Sequence, residues 1–279
     1  MSTFIERNGD FGFAILSSLA LGMIFFSSVD ASALGINACN TATNVDNYLS
    51  ADISYSSSIS NCLTVRDGHN LDLRGHTITC TETGSNTCGP AVLCDGTSRE
   101  NSVIQDTYIG NSDSDGQHRN IIGPASSAVA DCGTVQKLKI EGAIVGITAT
   151  GTTGKNYVKN VIIPASSGTG IDVTLQDAAD SISDNRIDGG AFGIKIVGRS
   201  VSTGPKIDHN VLRGFTRLGI SNADGTYVRI ENNALLEGGV YSSPLSITSA
   251  NVSYTGNVCE SGGPCSCETD NLTPPVNCF

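Results

Sequence analysis

Two hexapeptides, Ile182-Ser183-Asp184-Asn185-Arg186-Ile187 and Ile207-Asp208-His209-Asn210-Val211-Leu212, share the pattern apolar-x-x-Asn-x-apolar. The pattern returns at Tyr157–Ile162, Ile230–Leu235 and Tyr254–Cys259, placing Asn160, Asn185, Asn210, Asn233 and Asn257 at spacings of 25, 25, 23 and 24. No helical period produces such a repeat. It is the length of one coil of a three-sided β-solenoid, in which each coil buries its apolar side only by stacking on its neighbours.

A second series keeps the same period. Gly146-Ile147, Gly170-Ile171, Gly193-Ile194 and Gly219-Ile220 follow one another at 24, 23 and 26 residues. Alternation after each pair, as in Ile171-Asp172-Val173 and Ile194-Lys195-Ile196, predicts short strands with one side turned inward. Glycine there suits a corner that needs positive φ or close backbone approach.

The asparagines are expected to point inward at a coil corner, bonding backbone groups and the asparagines above and below. Upstream the same slot would hold His76 in Leu73–Ile78, Asp106 in Val103–Tyr108 and Leu138 in Val135–Ile140. The 32 residues from Asp106 to Leu138 imply a surface insertion at Asn111–Gly116. Its alternating Asp and Asn residues resemble a calcium loop but lack the terminal Glu.

The predicted fold is therefore all-β: a right-handed, single-stranded parallel β-helix of about eight coils with disulfide-stapled ends. Residues 1–33 are expected as a signal peptide, 34–60 as an N-terminal cap segment, 61–260 as the helix and 261–279 as a Cys-rich cap. The apolar run Phe11–Val29 precedes Ala31-Ser32-Ala33, a small-x-small cleavage pattern; left uncut, the same run would act as an anchor. No later segment is apolar enough to span a bilayer.

Ten cysteines all lie downstream of that point, six before residue 133 and four after 258. With an export signal they predict disulfides and a secreted, extracellular, cell-surface or periplasmic location, although pairing is not readable from spacing. The net charge of −11 with only 16 Lys plus Arg argues against nucleic acid, whose affinity comes mainly from cations on phosphates.

The Asn series, the Gly-Ile strands and the segment Leu71-Asp72-Leu73-Arg74-Gly75-His76-Thr77-Ile78 resemble the pectin-lyase-like superfamily of right-handed parallel β-helix proteins over roughly residues 61–260. That resemblance implies the fold and a range of activities, from polysaccharide lyases, glycoside hydrolases and epimerases to noncatalytic surface proteins. The Asn-Thr-Asp, Asp-Asp, Gly-His-Gly and Arg-Ile-Lys motifs of polygalacturonase-like members do not occur here. A site like that of the pectate lyases would need acidic residues on adjacent coils to hold calcium, with an Arg or Lys as base.

Counting from the asparagines brings candidate residues together. Two positions earlier stand Val158, Ser183, Asp208, Glu231 and Thr255, and four earlier Asn156, Ser181, Lys206, Arg229 and Ser253, all facing outward. With coils about 4.8 Å apart, Asp208 should sit beside Glu231 and Lys206 beside Arg229. Two carboxylates that close share a cation, with calcium the candidate cofactor, or divide acid and nucleophile roles as in a retaining glycosidase, where the separation is about 5 to 5.5 Å. The competing reading is an ionic lattice in which Lys206 and Arg229 neutralise them. His209 stacks over Asp184 as a further acid–base candidate. Asp172 beside Lys195 and Asp188 beside Arg213 read as ion pairs between coils.

The expected function is a secreted protein that interacts with polysaccharide or a cell-surface glycan, with cleavage of the lyase or glycosidase type left open. The alternative is a noncatalytic structural or matrix solenoid, which the lack of Trp and an aromatic content of 5% favour.

Overall fold

The computed structural model describes residues 33–39, 41–43, 45–66, 68–95, 102–107, 119–150, 154–175, 177, 179–198, 204–222, 228–236, 243–247, 252–259 and 267–268. The expected signal peptide, the Asn111–Gly116 insertion and most of the Cys-rich terminus lie outside them. Among the described residues there are strands and turns but no helix, hence none able to cross a membrane.

Each coil contributes one strand to each of three parallel sheets. The first sheet contains Asn156–Val158, Ser181–Ser183, Lys206–Asp208 and Val228–Glu231. After a two-residue corner the chain enters the second sheet, as at Val161–Ile163, Arg186–Asp188 and Val211–Arg213. The third holds the Gly-Ile strands, Val145–Ala149, Thr169–Leu175, Phe192–Gly198 and Leu218–Asn222. Neighbours within a sheet come from successive coils, which is the topology of a parallel β-helix.

The sheets carry ten, nine and ten strands, so the coil number differs from the eight expected. Leu34–Ile36, Thr41–Thr43, Asn47–Leu49 and Ile53–Tyr55, all within the segment expected as a cap, are hydrogen-bonded into the same sheets. Cys267–Glu268 adds a rung beyond residue 260.

Three inward stacks fill the lumen. Tyr157, Ile182, Ile207 and Ile230 align on the first sheet, Ile162, Ile187, Leu212 and Leu235 on the second, and Ile147, Ile171, Ile194 and Ile220 on the third. None of these is more than 1% exposed. Each aliphatic side chain buried in this way stabilises by roughly 1.5 to 3 kcal/mol, which is why β-branched residues recur at this phase.

The Gly-Ile glycines have ordinary φ, and what requires them is crowding. A Cβ on Gly146 would lie 2.5 Å from Gly170 O and 2.5 Å from Ile162 Cγ2, and one on Gly170 would lie 2.6 Å from Ile187 Cγ2. The third sheet therefore lies against the side chains of the second where these glycines sit.

Six cysteines close three disulfides, Cys39–Cys62, Cys80–Cys88 and Cys94–Cys132, all in the N-terminal half. The side chains of the other four are outside the described residues.

Candidate functional site

The corner that leads from the first sheet to the second is built in two layers. Lys137, Lys159, Asp184, His209, Asn232 and Gly256 all have φ between 55° and 68°. An α-left residue reverses the chain in one step, so the following residue turns its side chain inward. Those inward residues are Leu138 and the five asparagines, each asparagine no more than 6% exposed.

Among the described residues every bond from one asparagine side chain to the next runs the same way along the axis. Asn160 donates from Nδ2 to Asn185 Oδ1 at 2.9 Å, Asn185 to Asn210, Asn210 to Asn233 and Asn233 to Asn257, each at 2.9 Å. The second Nδ2 proton reaches a first-sheet carbonyl of the preceding coil, such as Tyr157 O from Asn185 at 2.8 Å and Ile182 O from Asn210 at 2.9 Å. Each Oδ1 also accepts a backbone N–H; Leu138 N reaches Asn160 Oδ1 at 3.1 Å.

Upstream the geometry departs from the hexapeptide count. Ile104, fully buried, pairs with Val135, so Ile104 rather than Val103 is the inward residue of that rung. His76 does not enter the Asn stack; its Nδ1 lies 3.2 Å from Asp52 Oδ1 at a half-exposed position. Asp106 is buried, accepts Gly75 N–H at 3.0 Å and receives the Nδ2 of Asn120, whose Oδ1 accepts Lys139 N–H at 2.7 Å. Asp106 and Asn120 thus flank the insertion and continue the polar corner past it.

Lys206, Asp208, Arg229 and Glu231 come together on the first sheet. Lys206 pairs with Arg229 and Asp208 with Glu231. Lys206 Nζ lies 2.9 Å from Asp208 Oδ2 and 3.8 Å from Glu231 Oε2, so a single ammonium spans both carboxylates. Arg229 Nε donates to Gly204 O at 3.3 Å.

Asp208 is 8% exposed. Burial alone would push its carboxyl up, but the hydrogen bonds from Lys206 and His209 and their charges outweigh burial and hold it below the usual carboxylate range. Lys206 is raised, chiefly by its hydrogen bond to Asp208 and with help from Glu231, against opposing desolvation and the nearby Arg229.

His209 differs from its expected pairing. Its Nδ1 lies 2.8 Å from Asp208 Oδ2, while Asp184 meets this coil through its backbone N–H on Asp208 O at 3.2 Å. The α-left backbone at His209 turns the imidazole back over the end of its own strand. The arrangement is a His209–Asp208–Lys206–Glu231 chain.

A calcium ion would compete with the Lys206 ammonium for the same two carboxylates, which furnish only part of the about six to eight oxygens calcium takes. Among the described residues no group of three or more His, Cys, Asp or Glu side chains is placed to hold a metal.

Other charged contacts include Lys195 to Asp172 at 3.2 Å and Arg119 to Glu141 at 2.9 Å between coils, and Asp188 between Arg186 of its own strand at 2.8 Å and Arg213 of the next coil. Sequence reading did not flag the interior residues Lys155 and Asp180. They stand on successive rungs, both fully buried, and Asp180 Oδ1 accepts Lys155 N–H at 2.7 Å. Tyr157 beside them donates to Cys132 O at 3.1 Å, and its hydroxyl pKa is pushed well up by burial and then by Asp180 and Asp131. An inward phase two residues before Tyr157 was the available signal for Lys155.

Fold and site define a disulfide-bonded parallel β-helix protein with a compact charged grid on one outer face. Comparison with protein families, curated proteins and solved structures finds no match for this chain.

Proposed function

We propose that the protein is exported, is akin to the pectin-lyase-like β-helix proteins, and acts on polysaccharide or a cell-surface glycan through the outer side of its first sheet. The observation that carries this reading is the stacking of Asp208 on Glu231 one rung apart, with Lys206 against both. Three disulfides fit an oxidising compartment.

Hydrolysis suits the grid better than β-elimination. Lys206 is held protonated by its two carboxylates and so serves to bind an oxygen or anionic group of the sugar, not to abstract a proton. Asp208, held ionised, suits the nucleophile of a retaining glycosidase, and Glu231 one rung on supplies the second carboxyl that such a mechanism needs.

The test is binding and cleavage across a broad glycan panel, with the Asp208→Asn and Glu231→Gln variants alongside. Loss of activity in both variants supports the reading; a panel with neither binding nor cleavage sinks it. A noncatalytic surface or matrix role has one observation in its favour, the internal neutralisation of both carboxylates by Lys206. Under that role the variants lose stability and no glycan responds.

A further inference from the structure

We infer that the first sheet carries a binding track for an extended, uncharged polysaccharide, running along the helix axis over the four rungs that precede the charged grid. The inference rests on the glycan reading above and specifies the class of its ligand. The rungs Val103–Gln105, Thr134–Gln136, Asn156–Val158 and Ser181–Ser183 are aligned in unbroken parallel register. Their outward side chains are all partly or fully exposed, and none of them is ionisable.

The two other faces contrast with this one. The second sheet presents Arg119 paired with Glu141 and Arg186 and Arg213 with Asp188, and the third presents Lys195 with Asp172. On these four rungs the outward groups are the amides of Gln105, Gln136 and Asn156, the hydroxyls of Thr134, Ser181 and Ser183 and the isopropyl groups of Val103 and Val158. They are already ordered in pairs: Gln136 Nε2 donates to Gln105 Oε1 at 2.7 Å and Ser181 Oγ to Asn156 Oδ1 at 2.9 Å. An amide has two donor protons and an oxygen with two lone pairs, so each such bond uses only a fraction of the capacity of the groups it joins.

The chemistry of the strip selects the occupant. Nucleic acid requires cations, which these rungs lack. A protein interface centres on buried aromatic and Arg anchors, and neither occurs among these outward residues. A polyanion finds no cation on the rungs themselves, only Lys137 and Lys159 at the corner beside them, on a chain of net charge −11. A neutral polyhydroxylated chain is the ligand whose hydroxyls match amides and hydroxyls repeated at about 4.8 Å. Such a chain laid along the axis reaches Lys206 and Asp208 on the next rung.

The experiment is equilibrium binding of the disulfide-bonded, full-length protein to cello-, xylo- and manno-oligosaccharides of two and six units, with oligogalacturonates as the anionic comparison. At least one neutral series should bind, with affinity rising about tenfold or more from two units to six. A Gln136→Ala/Asn156→Ala double variant with an unchanged melting temperature should weaken six-unit binding by about 5- to 50-fold, from the loss of about two hydrogen bonds, and leave two-unit binding at the grid unchanged. Binding that depends on Asp208 and Glu231 but is indifferent to Gln136 and Asn156, or that is confined to the anionic series, overturns the track and leaves the grid reading standing. Absence of binding to every neutral and anionic series overturns both.

Discussion

Asn185 makes the physical content of the repeat concrete. Its Oδ1 accepts both N–H and Nδ2 of Asn160, and its own Nδ2 meets Asn210 Oδ1 and Tyr157 O. Asn185→Ala removes all of these at once in a buried column and strands polar groups on two neighbouring coils. At about 1 to 3 kcal/mol for a buried group left unmade, with partial relaxation, the expected loss is about 3 to 4 kcal/mol, read from a denaturant midpoint at unchanged slope. A loss below about 1 kcal/mol would mean that water replaces the column. Asp208 yields a pH test. Its folded pKa is depressed, so its pairing with Lys206 stabilises above the ordinary carboxyl pKa of about 4 and is lost as pH falls through the lower folded value. Lys206 is raised, so its contribution is present below about 10.5 and lost as pH climbs above that. In a His209→Gln background, which leaves Lys206 as the charged partner of Asp208, the stability gap between parent and Asp208→Asn should therefore be flat between about pH 5 and 9 and narrow below about pH 4; a gap that persists at about pH 2 contradicts the ion pairing. The polar column was legible because asparagine is costly to bury without partners, so its recurrence at one phase has few explanations. The α-left positions before it were not, because Lys137 and Lys159 are not residue types that favour that conformation.

At the scale of strands and corners, the hexapeptide works as a ruler only where the corner has two residues. Leu71 aligns through Ile104 and Val135 with Tyr157, and Ile78 through Ile121 and Ile140 with Ile162. The corner from Leu71 to Ile78 is thus two residues longer than that from Tyr157 to Ile162. This is why His76 and Asp106 fall out of a count made from later coils, and why Ile104 takes the inward place assigned to Val103. The glycine series keeps its phase from Gly146 to Gly219, where each such corner has two residues, and its cause is steric; one coil upstream Ala128 takes the slot. Gly193 shows the constraint at its tightest: a Cβ there runs into Leu212 Cδ2 and lies 2.5 Å from Gly219 O. One contact is a side-chain end that can shift, the other is backbone that cannot. Gly193→Ala should cost about 2 to 3 kcal/mol, within the range for overpacked cores, and Gly84→Ala, which meets nothing within 4 Å but has φ of 74°, should cost about 1 kcal/mol from backbone strain alone. Thermal or chemical melts of the two variants would separate crowding from φ; equal losses would refute the crowding account.

Along the whole solenoid, stability is divided unevenly between two kinds of fastening. From Asn160 onward successive coils are joined by the asparagine column, whereas the coils from Cys39 to Cys132 have its irregular continuation at Asp106 and Asn120 and carry the three disulfides instead. Cys94–Cys132 closes a loop of 38 residues that includes the insertion, and Cys80–Cys88 a loop of 8. In the chain-entropy treatment these crosslinks stabilise by about 4 and about 2.5 kcal/mol, because the longer loop is freer in the unfolded chain. Replacing Cys94 and Cys132 by Ala should therefore destabilise by over 1 kcal/mol more than replacing Cys80 and Cys88. Coils of a solenoid touch only their neighbours, so the effect should also be local. Amide exchange in the Cys94→Ala/Cys132→Ala variant should accelerate over residues 63–136 while the strands from Ser181 to Leu236 keep their protection. That C-terminal half bears Lys206, Asp208, Arg229 and Glu231, so glycan binding at the grid should survive loss of the crosslink. Uniform acceleration over both halves would show instead that the solenoid opens as one cooperative unit, with the disulfides and the asparagine column acting on a single transition.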